Sequence, residues 1–123
     1  MNLFENERNT RIFNIANQID NVFKNFLGVN ESAKQLKEHL KLEVEELLSS
    51  KNKKNMAYEC ADIIILAVRI LIRLGYKNPL EIITEKGEVV KERLRIAVEL
   101  FNQTPGMGGE EAYRLAKHKI ENE

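Results

Sequence analysis

The chain has 123 residues, of which 43% are hydrophobic and 31% are charged, and its 19 basic side chains balance 19 acidic ones at a formal net charge of zero. This length predicts one small domain over residues 1–123, and the balanced charge excludes the basic surface that non-specific binding to nucleic acid requires. The single cysteine, Cys60, excludes an intramolecular disulfide.

The distribution of charged residues predicts a soluble, cytoplasmic protein with no membrane partner. The first residues, MNLFENERNTR, are polar where a signal peptide has an apolar stretch. The most apolar segment, residues 61–74, contains Asp62, Arg69 and Arg73, and its longest unbroken apolar run has six residues. A membrane span needs roughly 20 predominantly apolar residues.

Apolar side chains at helical spacing predict a first helix over about residues 5–26 and a second over about residues 32–50. Ser32, followed three residues later by Gln35, is a capping-box signal for the start of the second helix. The apolar stripe of that helix is bordered by acidic side chains one turn apart, and a histidine lies one turn before them on the same flank. These residues are Glu43, Glu46 and His39.

A third helix is predicted over about residues 55–75, and it is apolar on nearly every side, which is typical of a helix packed all round. Its few polar side chains gather on one stripe that includes Glu59 and Asp62. If the second and third helices pair as an antiparallel hairpin, two pairs of carboxylates face each other. The two pairs lie a dozen residues apart across a short turn. Together they indicate a metal site more specifically than either pair does alone.

Crowded carboxylates repel one another and resist ionisation, and a divalent cation removes that conflict. Ligands that are all oxygen favour Mg²⁺, with Mn²⁺ as a substitute, over zinc or copper. The predicted metal ligands are Glu43, Glu46, Glu59 and Asp62. Two simpler interpretations stay open: solvated carboxylates on a charged helix, or a structural ion pair of the third helix with Arg69 or Lys54.

Asn78, Pro79 and Glu81 form a good start for a fourth helix, which we expect to end at Phe101 or Asn102. The loop QTPGMGG follows, and a short charged helix over about residues 109–121 completes the chain. The expected fold is therefore an all-α bundle of four main helices plus a short carboxyl-terminal helix.

The stretches HLKLEVEELLSS and ECADIIILAVRILIRLGY resemble the MazG-like, all-α nucleoside triphosphate pyrophosphohydrolases. The signature of that family is Glu-Glu-x-x-Glu on one helix and Glu-x-x-Asp on the next. The four predicted metal ligands match the last two acids of the first half and both acids of the second half. Leu42 stands at the first acid of the family pattern, so the number of ligands and metal ions stays open. The resemblance covers about residues 24–95.

The resemblance implies a MazG-like core over about residues 24–102, with the loop and last helix at residues 103–123. It also implies that a nucleoside triphosphate and water give the monophosphate and pyrophosphate. Glu46, beside the metal, would orient or deprotonate the attacking water. Lys86 and Arg93 match family positions that would bind phosphates, while Val90 replaces an expected asparagine. His39 is a further candidate for substrate binding, or else a supporting or surface residue.

Within the family, the sequence looks most like the phage and prophage branch associated with dATP and dGTP. The resemblance implies that the activity serves nucleotide-pool control or house-cleaning. Family members form dimers or larger assemblies, so the resemblance implies a homodimer or homotetramer in which dimerisation completes the core. A rival interpretation is a non-catalytic helical interaction module, which Leu42 and Val90 favour. A ferritin-like di-metal bundle needs Glu-x-x-His, and neither His39 nor His118 has a glutamate three residues earlier.

Overall fold

The structure is a computed structural model that describes residues 3–121, with side chains from residue 11 onward. Residues 3–121 contain helices and no strand, which confirms the prediction of an all-α fold. The helices are α1 (Leu3–Asn25), α2 (Ala33–Ser49), α3 (Lys53–Arg73), α4 (Pro79–Gln103) and α5 (Gly109–Glu121). None of them combines the length and apolar character that a membrane crossing needs.

Side-chain caps define the starts of the two helices that carry the acidic motifs. The Ser32 hydroxyl accepts a hydrogen bond from the Gln35 amide at 3.2 Å, and Gln35 Oε1 accepts one from the Ser32 amide at 2.8 Å. This confirms the capping box. Asn52 Oδ1 accepts hydrogen bonds from the amides of Lys54 and Asn55 at 2.8 and 3.3 Å. Because Asn52 caps α3, that helix begins at Lys53, two residues earlier than the sequence predicted.

The chain divides into two compact units, Met1–Pro79 and Leu80–Glu123. In the first unit α3 contacts both α1 and α2. Only residues 50–52 join α2 to α3, so the two helices form the antiparallel hairpin that the acidic motifs required. The expectation of one domain over residues 1–123 stays a prediction.

A buried ionic network ties the three helices of the first unit together. Arg69 of α3 donates from Nε to Asp20 Oδ1 of α1 and from Nη2 to Glu31 Oε1, just before α2, both at 2.7 Å. The Arg69 side chain is only 4% exposed, and its guanidinium lies 5.1 Å from the centroid of the Phe23 ring. Arg73 Nη2 approaches Asp20 Oδ1 at 3.4 Å. Arg69 therefore pairs with Asp20 and Glu31. Of the two basic residues considered as structural partners for the acids of α3, this leaves Lys54.

In the second unit, α4 and α5 pack through buried alanines, against which the larger and partly buried Ile96, Leu100, Met107 and Tyr113 also pack. Ala97 of α4 and Ala112 and Ala116 of α5 are buried together. The joint between the helices contains Gly106, whose φ of 85° is a left-handed conformation that glycine adopts without strain. This short joint returns α5 antiparallel to α4.

Candidate metal centre

Three of the four predicted ligands come together between α2 and α3. One carboxylate oxygen from each of Glu43, Glu46 and Glu59 lies within 4.8 Å of the other two. The spacing of three residues puts the first two acids one turn apart on α2, and the hairpin returns Glu59 beside them. Asp62 is exposed and is not one of these three, although its charge acts on Glu43.

The acidic cluster, meaning Glu43, Glu46 and Glu59, is electrostatically strained. Glu43 and Glu59 are partly buried, and while both are ionised they can only accept, so Oε2 of each is buried with no donor among the described residues. A hydrogen bond between these two acids needs a proton on one of them. That bond, followed by burial and the negative charge of Glu46, raises the pKa of Glu43 from 4.5 to about 7. The repulsion that the sequence predicted is therefore present in the folded chain.

The geometry of the acidic cluster suits a small, hard divalent cation. Oxygens on opposite sides of an octahedral Mg²⁺ lie about 4.2 Å apart, because each Mg–O distance is about 2.1 Å. Ligand atoms already within 4.8 Å of one another need only small side-chain movements to reach that geometry. The donors that lack partners are carboxylate oxygens, which magnesium and manganese prefer. A bound cation would replace the proton on Glu43 and remove the repulsion.

An open pocket of about 460 Å³ lies against the acidic cluster. Its walls are formed by Leu42, Glu45, Glu46, Ser49, Ser50, Asn55 and Glu59. Leu42 is exposed and gives these walls an apolar part. Glu45 is exposed and lines the same pocket.

Two of the three predicted substrate-binding residues form ion-pair contacts in the structure. His39 is half exposed, and its Nδ1 lies 2.9 Å from Oε2 of the buried Glu31. Lys86 is exposed on α4. Arg93 is buried, and its Nη2 lies 3.5 Å from Oε1 of Glu121 on α5. The substrate roles of these three residues stay predictions.

Sequence reasoning missed two buried acids, Asp20 and Glu31, which hold Arg69. Asp20 carried a signal, because it lies four residues after the buried Ala16 and three before Phe23, on the apolar face of α1. Glu31 carried none, since it lies in an irregular segment and its partner is 38 residues away.

Comparisons of this chain with protein families, with curated proteins and with solved structures found no match. The side chains of the acidic cluster and the pocket beside them are therefore the features that indicate a function.

Proposed function

We propose that this chain is a MazG-like, metal-dependent nucleoside triphosphate pyrophosphohydrolase, acting on deoxynucleotides. The observation that carries the proposal is the acidic cluster, in which three carboxylates crowd together and the pKa of Glu43 rises to about 7. Folding such a cluster is costly unless a cation binds it, so its presence on two capped helices favours a metal-binding role.

The proposed reaction uses the acidic cluster and the pocket beside it. Glu43, Glu46 and Glu59 would hold a Mg²⁺ ion, which would supply positive charge to neutralise phosphate oxygens. Glu46 is exposed and lines the pocket, so it can accept a proton from a water molecule there. The water oxygen forms a bond to the α-phosphorus, the bond from that phosphorus to the bridging oxygen breaks, and pyrophosphate leaves.

We also propose that the protein acts as a homodimer or homotetramer. The supporting observation is an apolar face of α3 that remains exposed in the single chain, with Ala57, Ala61, Ile64 and Ala67 at helical spacing. The same helix is buried on its opposite face at Leu66 and Arg69, and the exposed face ends at the buried Val68. A second copy that covered the exposed face would make α3 a helix packed all round.

Release of pyrophosphate from a panel of nucleoside and deoxynucleoside triphosphates with Mg²⁺ tests the enzymatic proposal. We expect turnover by the wild type and a loss of at least about 100-fold in Glu59→Gln, because even outer-shell partners of a metal are worth 10–100-fold. Glu45→Gln is the matched control, since Glu45 lines the same pocket outside the acidic cluster. It should keep activity within a few fold.

The second candidate function is a non-catalytic helical interaction module. It is favoured by Leu42, an exposed apolar side chain at a position where the related family has an acid. A purified protein that releases no pyrophosphate from any nucleotide with Mg²⁺ or Mn²⁺ would support this candidate against the enzyme.

A further inference from the structure

The pocket beside the acidic cluster has a polar end that the proposed metal centre does not use. This turn end of the pocket lies where α2 and α3 meet the turn between them, and it consists of Ser49, Ser50 and Asn55. The whole pocket has a volume of about 460 Å³, and small-molecule sites typically have roughly 300–1,000 Å³. The pocket therefore has room for more than the water molecule of the proposed reaction.

Two of the three side chains at the turn end have unused hydrogen-bonding capacity. Ser49 Oγ already donates to the Glu45 carbonyl at 2.8 Å. Ser50 Oγ is buried without a partner among the described residues, so rotating it toward the pocket breaks no hydrogen bond. Asn55 bonds through its backbone amide to Asn52 Oδ1, and its exposed carboxamide stays available with two donors and one acceptor. A ligand that carries both donors and acceptors can therefore bind there.

The charge of the pocket selects which end of a nucleotide can lie at the turn end. Three lining residues, Glu45, Glu46 and Glu59, are acidic and none of the lining residues is basic. A cation at the acidic cluster would attract phosphate to Glu46 and Glu59, whereas the turn end offers phosphate no positive side chain. The neighbouring lysines are exposed and do not line the pocket: Lys51, Lys53 and Lys54. The turn end therefore suits the uncharged base of a nucleotide.

We propose that the turn end of the pocket recognises the nucleobase of the substrate, with Asn55 reading the base edge and Ser50 adding a second hydrogen bond. Each of the four bases has an edge with a donor beside an acceptor, which a carboxamide complements, and asparagine binds adenine in this bidentate way. The phosphate of the same nucleotide then lies at Glu46 and Glu59. That the ligand is a nucleotide rests on the proposed function, whereas the available carboxamide and hydroxyl do not.

NMR titration of the isotope-labelled full chain with each of the four 2′-deoxynucleosides, without divalent metal, tests the proposal. We expect at least one deoxynucleoside to shift the side-chain amide signals of Asn55. Ser50→Ala should bind that deoxynucleoside about three- to fivefold more weakly than the wild type, because one hydrogen bond is lost. Ser49→Ala is the matched control, since its hydroxyl already has a partner, and it should stay within about twofold of the wild type.

Asn55→Asp tests the reading of the base edge itself. A carboxylate only accepts, so it suits guanine, whose ring N–H lies beside its amino group, and opposes thymine, whose single N–H lies between two carbonyls. The ratio of the affinity for deoxyguanosine to that for thymidine should therefore rise at least about fivefold over the wild-type ratio. Asn102→Asp adds the same charge at an exposed position of α4 and should leave the ratio unchanged.

Three results would overturn the proposal: no deoxynucleoside shifts Asn55, Ser50→Ala and Ser49→Ala bind equally well, or the ratio is unchanged in Asn55→Asp. A shift of Asn55 by inorganic pyrophosphate and by no deoxynucleoside would assign the turn end to phosphate instead. If Ser50→Ala does not fold, Asn55→Asp decides. The titration needs no turnover, so a protein that binds a deoxynucleoside and hydrolyses no nucleotide would refute the enzyme alone. An active enzyme in which Asn55 does not respond would refute the base site alone.

Discussion

Glu43 is the residue whose chemistry depends most on its neighbours. With a pKa of about 7, its carboxyl group holds a proton near neutral pH, and the largest cause is the hydrogen bond to Glu59. A metal ligand must be deprotonated, so binding a cation at the acidic cluster releases this proton. We therefore expect metal affinity to rise with pH through this range.

The same pKa predicts how stability depends on pH when divalent metal is removed with a chelator. Between pH 4.5 and about 7 the folded chain holds the proton of Glu43 more tightly than the unfolded chain does. Glu43 therefore contributes most to the free energy of unfolding below pH 4.5, and this contribution falls as pH rises through 7. Urea denaturation across pH 4–8 measures the effect as the difference between the wild type and Glu43→Gln. An equal slope in both proteins would contradict it.

Arg69 should be the charged residue on which stability depends most. Replacing it with methionine removes the nearest buried cation from both Asp20 and Glu31 and leaves them only the more exposed Arg73 and His39, a change that costs about 3–5 kcal/mol. Arg95 is the matched control, because it also pairs with two acids but is exposed. Arg95→Met should cost about 1 kcal/mol or less. Equal losses in the two variants, measured by urea denaturation, would show that the buried network is not the source of the difference.

At the scale of the helices, sequence patterns predicted the features that depend on contacts between residues close together in the chain. Helical spacing and the capping box gave α2, and the spacing of three residues gave the pair Glu43 and Glu46. The pairing of Arg69 with Asp20 and Glu31 could not be predicted, because it depends on how α1 packs against α3. For the same reason the sequence did not show that Asp62 lies outside the acidic cluster.

The turn between α2 and α3 contains a side-chain cap whose contribution to stability can be tested separately. Asn52 caps α3 through two backbone amides, so Asn52→Ala should cost about 1 kcal/mol in the free energy of unfolding. Asn52→Ser keeps a capping oxygen and should retain most of the wild-type stability. If both variants lose the same stability in thermal or urea denaturation, the side-chain cap is not what stabilises the start of α3.

At the scale of the whole molecule, much apolar surface remains exposed in the single chain. From residue 11 onward, Phe26 and Leu48 are the most exposed large apolar side chains of the first unit, and Val98 and Phe101 of the second unit are also exposed. Contiguous exposed apolar surface on a folded protein commonly marks an interface. Sedimentation of the purified protein at several concentrations would distinguish the proposed homodimer or homotetramer from a monomer.

Metal binding at the acidic cluster should stabilise the entire folded chain, because an ion that binds only the folded state shifts the unfolding equilibrium. At a free Mn²⁺ concentration of 100 times the dissociation constant, the gain is about 2.7 kcal/mol. The melting temperature of the wild type should therefore rise with Mn²⁺. Glu59→Gln should show no rise, while Glu45→Gln, whose side chain lines the pocket outside the acidic cluster, should respond like the wild type.

Asp62→Asn separates the two ways in which this acid could act. Its charge raises the pKa of Glu43 from an exposed position, so its removal relieves repulsion and should not lower the melting temperature measured without metal. If Asp62 also binds the cation, the variant loses the rise with Mn²⁺ and the release of pyrophosphate. A variant that melts well below the wild type without metal would instead assign Asp62 to a structural ion pair, and the metal centre would then consist of Glu43, Glu46 and Glu59 alone.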